Sequence, residues 1–408
     1  MPTVRLYTSL AGVYKAVTTG ESKPDYSSIE SPGFTGSLEE WENFSSINFW
    51  HIVALLSRNS IDFVPDLDIG RLPALVKAGP NHTIGTYGAA HDAFAWEMQS
   101  ENLIRRWLEK TGNTAVLKVL DDTVWAYTVW SYAFLEDSEY WENNDDPYVN
   151  LAECGHDVLE QIVPQKPHRL GKLALKHEPA GKCRVFAIVD YWTQACLKPL
   201  HNWIFDVIKV FPGDCTFDQS GGLKRFIDRG YETFFCYDLK SATDMIPVQL
   251  TESLLSKIFG EELSSLWKKL MTDREFLLPN GHKYLGRDSV KYTRGQPMGA
   301  LSSWAGLDLT HHALILFAAY RIRMNALKAV ELYVVLGDDV VIADKALAQS
   351  YLAVCSEFGI PIGLPKSFIS SKAFINFANQ SFLGKEPVSP VPLRGEFSCD
   401  SAPTRLSF

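Results

Sequence analysis

The sequence predicts an α+β fold, with an antiparallel sheet backed by helices, on three observations. Leu332–Leu336 and Val340–Ala343 are apolar runs rich in β-branched residues on either side of Gly337, Asp338 and Asp339, which predicts a hairpin. Thr233–Tyr237 reads as a short aromatic strand ending at Asp238. Between and after these lie helical stretches, Trp304–Met324 and Ala346–Phe358, giving the order strand, helix, hairpin, helix, strand.

Taken from the N-terminus, residues up to about Pro164 read as mostly helical. Ala95–Lys110 carries Trp96, Ile104, Trp107 and Leu108 near helical spacing, with Gly112 as its stop. A loop punctuated by Pro164 and Pro167 leads into a basic stretch. Val185–Val189 predicts a strand and Tyr191–Lys209 a helix. Pro247 suits the first turn of a helix running through Phe259. Trp304–Met324 is apolar almost throughout, so it is expected to be buried, with His311 and His312 as satisfied core histidines. Gly359 closes the helix that ends at Phe358, and Ile360–Phe382 returns to extended segments.

At 408 residues the chain is long enough for two or three subdomains around a sizeable core. Its 46% hydrophobic and 21% charged content is that of a globular protein rather than a disordered or fibrous one. The longest apolar run, Ala313–Tyr320, is too short to span a bilayer, and the N-terminus lacks a secretory hydrophobic segment. The seven cysteines are scattered singly, which argues against a disulfide framework or a zinc site and for a reducing compartment. A net charge of −9 argues against a generic nucleic-acid coat but not against a nucleic-acid enzyme, because charge is segregated here. Lys166, Arg169, Lys172, Lys176, Lys182 and Arg184 share one stretch whose sole acid is Glu178, while acids gather in Glu136–Asp146.

The hairpin carries the strongest chemical signal. A strand-turn-strand places Asp338 and Asp339 at the tip, where two unit charges ~4 Å apart repel by ~4 kcal/mol at an effective dielectric of ~20. A divalent cation is the usual relief; a solvated turn is the other reading of Gly-Asp. Asp238, ending a buried strand, is either a helix N-cap or a partner of Asp338 in a two-ion site, which would stabilise the attacking and leaving oxygens of a phosphoryl displacement. If strand alternation persists, Asp339 points away from Asp338 and plays a lesser part. The polar loop Tyr292–Ser303 is interrupted by Gly295 and Gly299, and with Gln296 it would let backbone approach a ligand; an ordinary flexible loop is the alternative. The run Lys176–Arg184 would hold a triphosphate or, equally, form a solvated basic surface.

The order of these segments resembles motifs F, A, B, C and D of viral RNA-dependent RNA polymerases, and most closely those of the mitoviruses. Residues 176–194 (KHEPAGKCRVFAIVDYWTQ) are similar to motif F, and 238–244 (DLKSATD) to motif A. Residues 295–304 (GQPMGALSSW), continuing to Thr310, His311 and His312, resemble motif B. Gly337-Asp338-Asp339 matches motif C, 363–367 (GLPKS) resembles motif D, and 377–384 (FANQSFLG) motif E. Residues 77–81 (KAGPN) also resemble the family's N-terminal region, so the likeness runs from about residue 77 to 395.

The resemblance implies a right hand of fingers, palm and thumb, and roles for particular residues. Asp238 and Asp338 would bind catalytic Mg²⁺ (or Mn²⁺), with Asp339 assisting. Asp244, Ser302 and Ser303 would lie near the ribose of the incoming nucleotide, Lys176, Lys182 and Arg184 on its triphosphate, and Gly295, Gln296 and Gly299 against the template or its backbone. Lys366 would protonate the leaving pyrophosphate. The implied division is an N-terminal helical extension with fingers over 1–164, basic fingers over 165–232, palm over 233–385 with inserted fingers at about 260–292, and the start of a thumb over 386–408. Family members usually continue past motif E, so most of the thumb is expected to be lacking. The implied activity is RNA-directed RNA synthesis from ribonucleoside triphosphates on an RNA template, inside a host mitochondrion. An inactive, truncated or endogenised RNA-binding remnant is the alternative, and a reverse transcriptase, disfavoured by Asp244 and the Gly-Asp-Asp turn, a further one.

Overall fold

The computed structural model describes residues 2–11, 13, 22–58, 60–135, 169–178, 181–279 and 286–390. The Pro164/Pro167 loop, the acidic run Glu136–Asp146, Lys166 and nearly all of the expected thumb segment lie outside them.

Ahead of the basic stretch the described structure is helical, with long irregular connections. α1 is Pro2–Ala11, and α2 is Glu39–Asn43, continuing as a π-helical turn over Phe44–Phe49 into α3, Trp50–Ser57. α4 (Ala89–Glu97), α5 (Leu103–Lys110) and α6 (Thr114–Leu135) follow. The single helix expected over Ala95–Lys110 is therefore two. Asn102 breaks it: its backbone is extended and its side chain accepts from the Arg105 N–H, capping a new helix. Trp41 packs edge-on against Phe317 and Phe358, with ring centroids 5.4 and 5.7 Å apart, which fastens this N-terminal layer to the middle of the chain.

β1 (Gly171–Glu178) and β2 (Lys182–Val189) form an antiparallel hairpin. The basic stretch is thus paired strand, because Leu173, Ala187 and Val189 alternate inward and Gly181, with φ 71, permits the turn. Asp190 caps α7 (Tyr191–Ile208) by accepting from Thr193 N–H at 2.9 Å. α8 (Gln219–Asp228), β3 (Phe234–Asp238) and the short α9 (Ala242–Met245) follow. α10 (Val248–Phe259) begins just after Pro247, which is its N-cap rather than part of its first turn. Then come α11 (Glu261–Thr272), β4 (Phe276–Leu277) and β5 (Ser289–Val290), which extend the β1–β2 sheet to the order β2-β1-β4-β5.

α12 (Ser303–Arg321) is the buried axis of the molecule, with Ser303 and Ala305–Ala319 all enclosed. α13 (Ala326–Ala329), β6 (Tyr333–Leu336), β7 (Asp339–Ile342) and α14 (Lys345–Glu357) follow it. The extended C-terminal part holds β8 (Phe368–Ser370), β9 (Phe374–Phe377), β10 (Gln380–Leu383) and β11 (Glu386–Pro387). The central sheet runs β6-β7-β3-β8, every pairing antiparallel. Alternation along its strands divides the core. Phe235, Tyr237, Val335, Val340 and Ile342 join the main cluster with α12 and α14. Phe234, Cys236, Val334 and Val341 pack on the other face with Leu223, Phe226 and Ile227 of α8 and Ile375 and Phe377 of β9. A sheet covered on both faces by helices and strands is rigid, and what stands at its ends is held in place.

Candidate active site

Asp238 and Asp339 are directly opposed in the β3–β7 ladder. Opposed residues of an antiparallel pair project to the same face, with Cβ atoms about 4.5–5.5 Å apart. Asp339, expected to point away from Asp338, thus stands against Asp238. Leu336 pairs with Asp339, so Gly337 and Asp338 form a two-residue turn, and of the two only Gly337 has positive φ, at 60°. That combination is the type II′ hairpin turn, which needs Gly first. Asp338 lies exposed at the tip, its carbonyl accepting from Leu239 N–H at 3.0 Å, just past the end of β3.

The electrostatics record this crowding. Burial, then repulsion from Asp338 and Asp238, pushes the Asp339 carboxyl up to about 6. Partial desolvation and repulsion from Asp238 raise Asp338, against the lowering pull of Lys366 and Lys182. Lys366 Nζ lies 2.5 Å from Asp238 Oδ1. Partial burial works against the Lys366 charge, but the Asp238 bond and the nearby Asp338 and Asp339 outweigh it and raise its pKa. Gly363 brings this segment close: its N–H donates to Asp238 O at 2.7 Å, and a Cβ there would come within 2.7 Å of Asp238 Oδ2.

These carboxylates fit a divalent ion chemically, since hard oxygen donors of one charge sign suit Mg²⁺ or Mn²⁺. They are not the most compact ligand set. Among the described residues, the trio whose ligand atoms all lie within 4.8 Å of one another is the buried Asp214, Asp308 and His312. At the hairpin tip the ammonium of Lys366 neutralises Asp238 in this structure.

The loop before α12 departs from expectation. Gly295 and Gly299 give their freedom to close contact with protein backbone. A Cβ on Gly295 would collide with the Thr243 carbonyl and Asp244 backbone, and one on Gly299, where φ is 123°, with the Ala187 carbonyl. Gln296 is buried, its N–H donating to Thr243 O at 2.8 Å and its Nε2 to Thr251 Oγ1 at 3.1 Å. Ser302 and Ser303 are fully enclosed, and Ser302 Oγ accepts from Trp267 Nε1 at 2.8 Å. Neither hydroxyl, nor Gly295 or Gln296, offers a ligand an open face here, whereas Gly299 is exposed. Asp244 sits beneath the same loop. Burial pushes its carboxyl up to about 6, and Ser28, far upstream, donates to Asp244 Oδ2 at 2.7 Å.

On the β1–β2 hairpin, Lys176 faces Arg184 and Glu178 faces Lys182, so all four share one face. Glu178 takes the Arg184 guanidinium at 3.1 and 3.3 Å, leaving Lys176 and Lys182 exposed; Lys182 is the one whose charge reaches Asp338.

Several polar groups escaped the sequence reading of the site. Asp308 lies at zero exposure in α12 and accepts from the Gly337 N–H; its only signal was an acid inside an apolar helix. His311 and His312 are satisfied core histidines as expected, but His311 is bonded to the Gly337–Asp338 turn itself, at the Gly337 carbonyl. The buried pair Arg274–Asp190, at 2.6 Å, had no local signal at all.

The description of the Mitovirus RNA-dependent RNA polymerase family matches residues 65–399. An RNA-directed RNA polymerase of Cryphonectria parasitica mitovirus 1 is 29% identical over 367 residues, covering 88% of this chain and 40% of its own. The chain thus spans well under half the length of that relative. An uncharacterised mitochondrial protein of Arabidopsis thaliana is 32% identical over 189 residues, 45% of this chain and 74% of that protein. Among solved structures, an insertion-loop deletion mutant of the RNA-dependent RNA polymerase of a human picorbirnavirus covers 52% of this chain and 45% of its own, at 15% identity and a TM-score of 0.43. With its motifs in order and matched over most of its length, the chain belongs to the mitovirus RNA-dependent RNA polymerase family.

Proposed function

We propose that this chain extends an RNA 3′ end with ribonucleotides on an RNA template, by two-metal phosphoryl transfer. The observation that carries the reading is the facing of Asp238 and Asp339 with Asp338 at the turn beside them. Asp238 and Asp338 are the proposed ligands of Mg²⁺ or Mn²⁺, and Asp339 their supporting charge. Such ions, when bound, polarise the attacking 3′ oxygen and neutralise charge on the leaving pyrophosphate. Lys366 holds a proton within the site and is the proposed general acid; its raised pKa keeps it charged and able to donate a hydrogen bond to the leaving pyrophosphate. Lys182, whose charge reaches Asp338, and Lys176 are the proposed triphosphate contacts, and Arg184 would join them on release from Glu178. Asp244 is the proposed ribose sensor.

In this reading the β6-β7-β3-β8 sheet with α12 and α14 is the palm, within residues 233–385, and the β1–β2 hairpin belongs to the fingers. Two relatives named as mitochondrial proteins support a mitochondrial setting. No helix among the described residues is long and apolar enough to cross a membrane.

The test is primer extension by the chain with Mg²⁺ and then Mn²⁺, beside the Asp338→Asn variant. The expected result is incorporation by the parent, loss of at least about 10²-fold in the variant, and unchanged RNA retention. Equal incorporation by both would sink the metal assignment. RNA retention without extension under either ion would point to a non-catalytic binding remnant, and preference for deoxyribonucleotides to a reverse transcriptase.

A further inference from the structure

Both backbone polar groups of Gly337 are held by one helix. Its N–H donates to Asp308 Oδ1 at 3.1 Å, and its carbonyl lies 2.7 Å from His311 Nδ1. Asp308 and His311 are three apart on α12 and so share one face. Trp304, four residues before Asp308, completes the stripe: a Cβ on Gly337 would come within 3.3 Å of its Nε1. Both polar side chains have zero exposure.

The hydrogen-bond chemistry orders the network. A carbonyl can only accept, so His311 Nδ1 bears the proton; Nε2, 2.7 Å from the Tyr351 hydroxyl, then accepts from it. Behind Asp308, Thr216 Oγ1 lies 3.1 Å from Asp308 Oδ2 and 3.0 Å from Asp214 Oδ2. The clamp is therefore anchored in α14 on one side and in the loop ahead of α8 on the other.

We propose that Asp308 and His311 are positioning residues that fix the conformation of the Gly337–Asp338 turn and hence where the Asp338 carboxylate stands. The proposal rests on the polymerase reading and deepens it. Two-residue hairpin turns of types I′ and II′ differ by a flip of their central peptide, which here joins Gly337 to Asp338. The carbonyl of that peptide is the group His311 holds. Gly337 opposes such a flip less than any other residue would, so selection falls to the helix. A flip would carry the Asp338 backbone into the left-handed region and swing its side chain away from Asp238.

Two measurements that need no turnover test this: hydrogen exchange of a peptide spanning residues 333–342, and Mn²⁺ affinity by electron paramagnetic resonance. His311→Leu and Asp308→Leu should speed exchange at the turn and weaken Mn²⁺ binding by about tenfold, the worth of one or two buried hydrogen bonds. His311→Asn keeps a donor where Nδ1 stands, and Asp308→Asn keeps an acceptor; both should restore turn protection to within about threefold of the parent. In extension assays the leucine variants should lower kcat while KM for nucleotide stays within about twofold. If the leucine variants fail to fold, Tyr351→Phe carries the test, since it removes the hydroxyl that holds the His311 tautomer and leaves the ring; turn exchange should rise several-fold. Overturning results are unchanged turn exchange in Tyr351→Phe, or leucine and asparagine variants that behave alike. If the parent binds no Mn²⁺ and extends nothing, the polymerase reading fails, while hydrogen exchange still decides the clamp.

Discussion

The Lys366 ammonium stands 2.5 Å from Oδ1 of Asp238, on the face where β3 presents its terminal carboxylate to Asp339. This pair makes Lys366 a competitor for any cation that Asp238 would bind. The lysine side chain is 65% exposed, so solvent screens the pair to about 1 kcal/mol. Lys366→Met should therefore bind Mn²⁺ about fivefold more tightly in the absence of nucleotide. The same variant should extend primers more slowly, because the proposed proton donor is gone. Titration of Mn²⁺ against both proteins checks the first half; weaker binding by the variant would rule out competition.

Asp244 gives stability a pH dependence of known sign. Its carboxyl is raised from 3.8 to about 6 in the folded chain. Below about pH 4 both states hold the proton and the contribution is complete. As pH rises toward 6 the unfolded chain loses its proton first, so stability falls across that window, by up to about 3 kcal/mol. Asp244→Asn keeps an acceptor for Ser28 and should flatten the slope. Ser28→Ala removes a bond that lowers the Asp244 pKa, so it should steepen the slope and extend it to higher pH. Urea midpoints at pH 4, 5, 6 and 7 measure all three, and identical slopes would contradict the assignment.

Gly299 and Gly384 both have positive φ, at 123° and 59°, but differ in surroundings. A Cβ at Gly299 meets the Ala187 carbonyl, whereas at Gly384 it meets open space. Gly299→Ala should cost more than about 2 kcal/mol and Gly384→Ala only about 1 kcal/mol, the backbone penalty alone. Denaturant unfolding of the two variants distinguishes close approach from backbone strain.

Arg274 joins four segments. It bonds to Asp190 at the start of α7, to Thr193, and to the Leu170 carbonyl ahead of β1, and it lies 5.0 Å over the Trp96 ring of α4. Arg274→Met would leave the Asp190 carboxylate buried without its cation, at a cost of roughly 3–5 kcal/mol. Adding Asp190→Asn should recover part of this loss. A double variant as unstable as the sum of the singles would show that the two residues do not interact.

How far the sequence reached varies with the range of the interaction. The Leu332–Ala343 hairpin, the helices read at Tyr191–Lys209 and Ala346–Phe358, and the stop at Gly359 were legible because turns, apolar spacing and stop signals act over a few residues. The break at Asn102 was missed because the apolar spacing runs on across it, and only the cap geometry marks the interruption. The hairpin at Lys176–Arg184 was hidden by its charges, which occupy the outward positions of two strands. The glycine-rich loop was legible as a place of close approach, but not what it approaches: protein backbone at Thr243, Asp244 and Ala187.

The candidate site divides along the same line. By itself the sequence singled out the side chains proposed to carry its chemistry, Asp238, Asp338, Asp339 and Lys366, and their order along the chain. Tertiary structure alone decided that Asp339 faces Asp238, that Lys366 closes on it, and that Asp308 and His311 grip Gly337. The reason is that residue type and local spacing set what a side chain can do, whereas strand register and helix packing between segments 26 to 128 residues apart set what it meets.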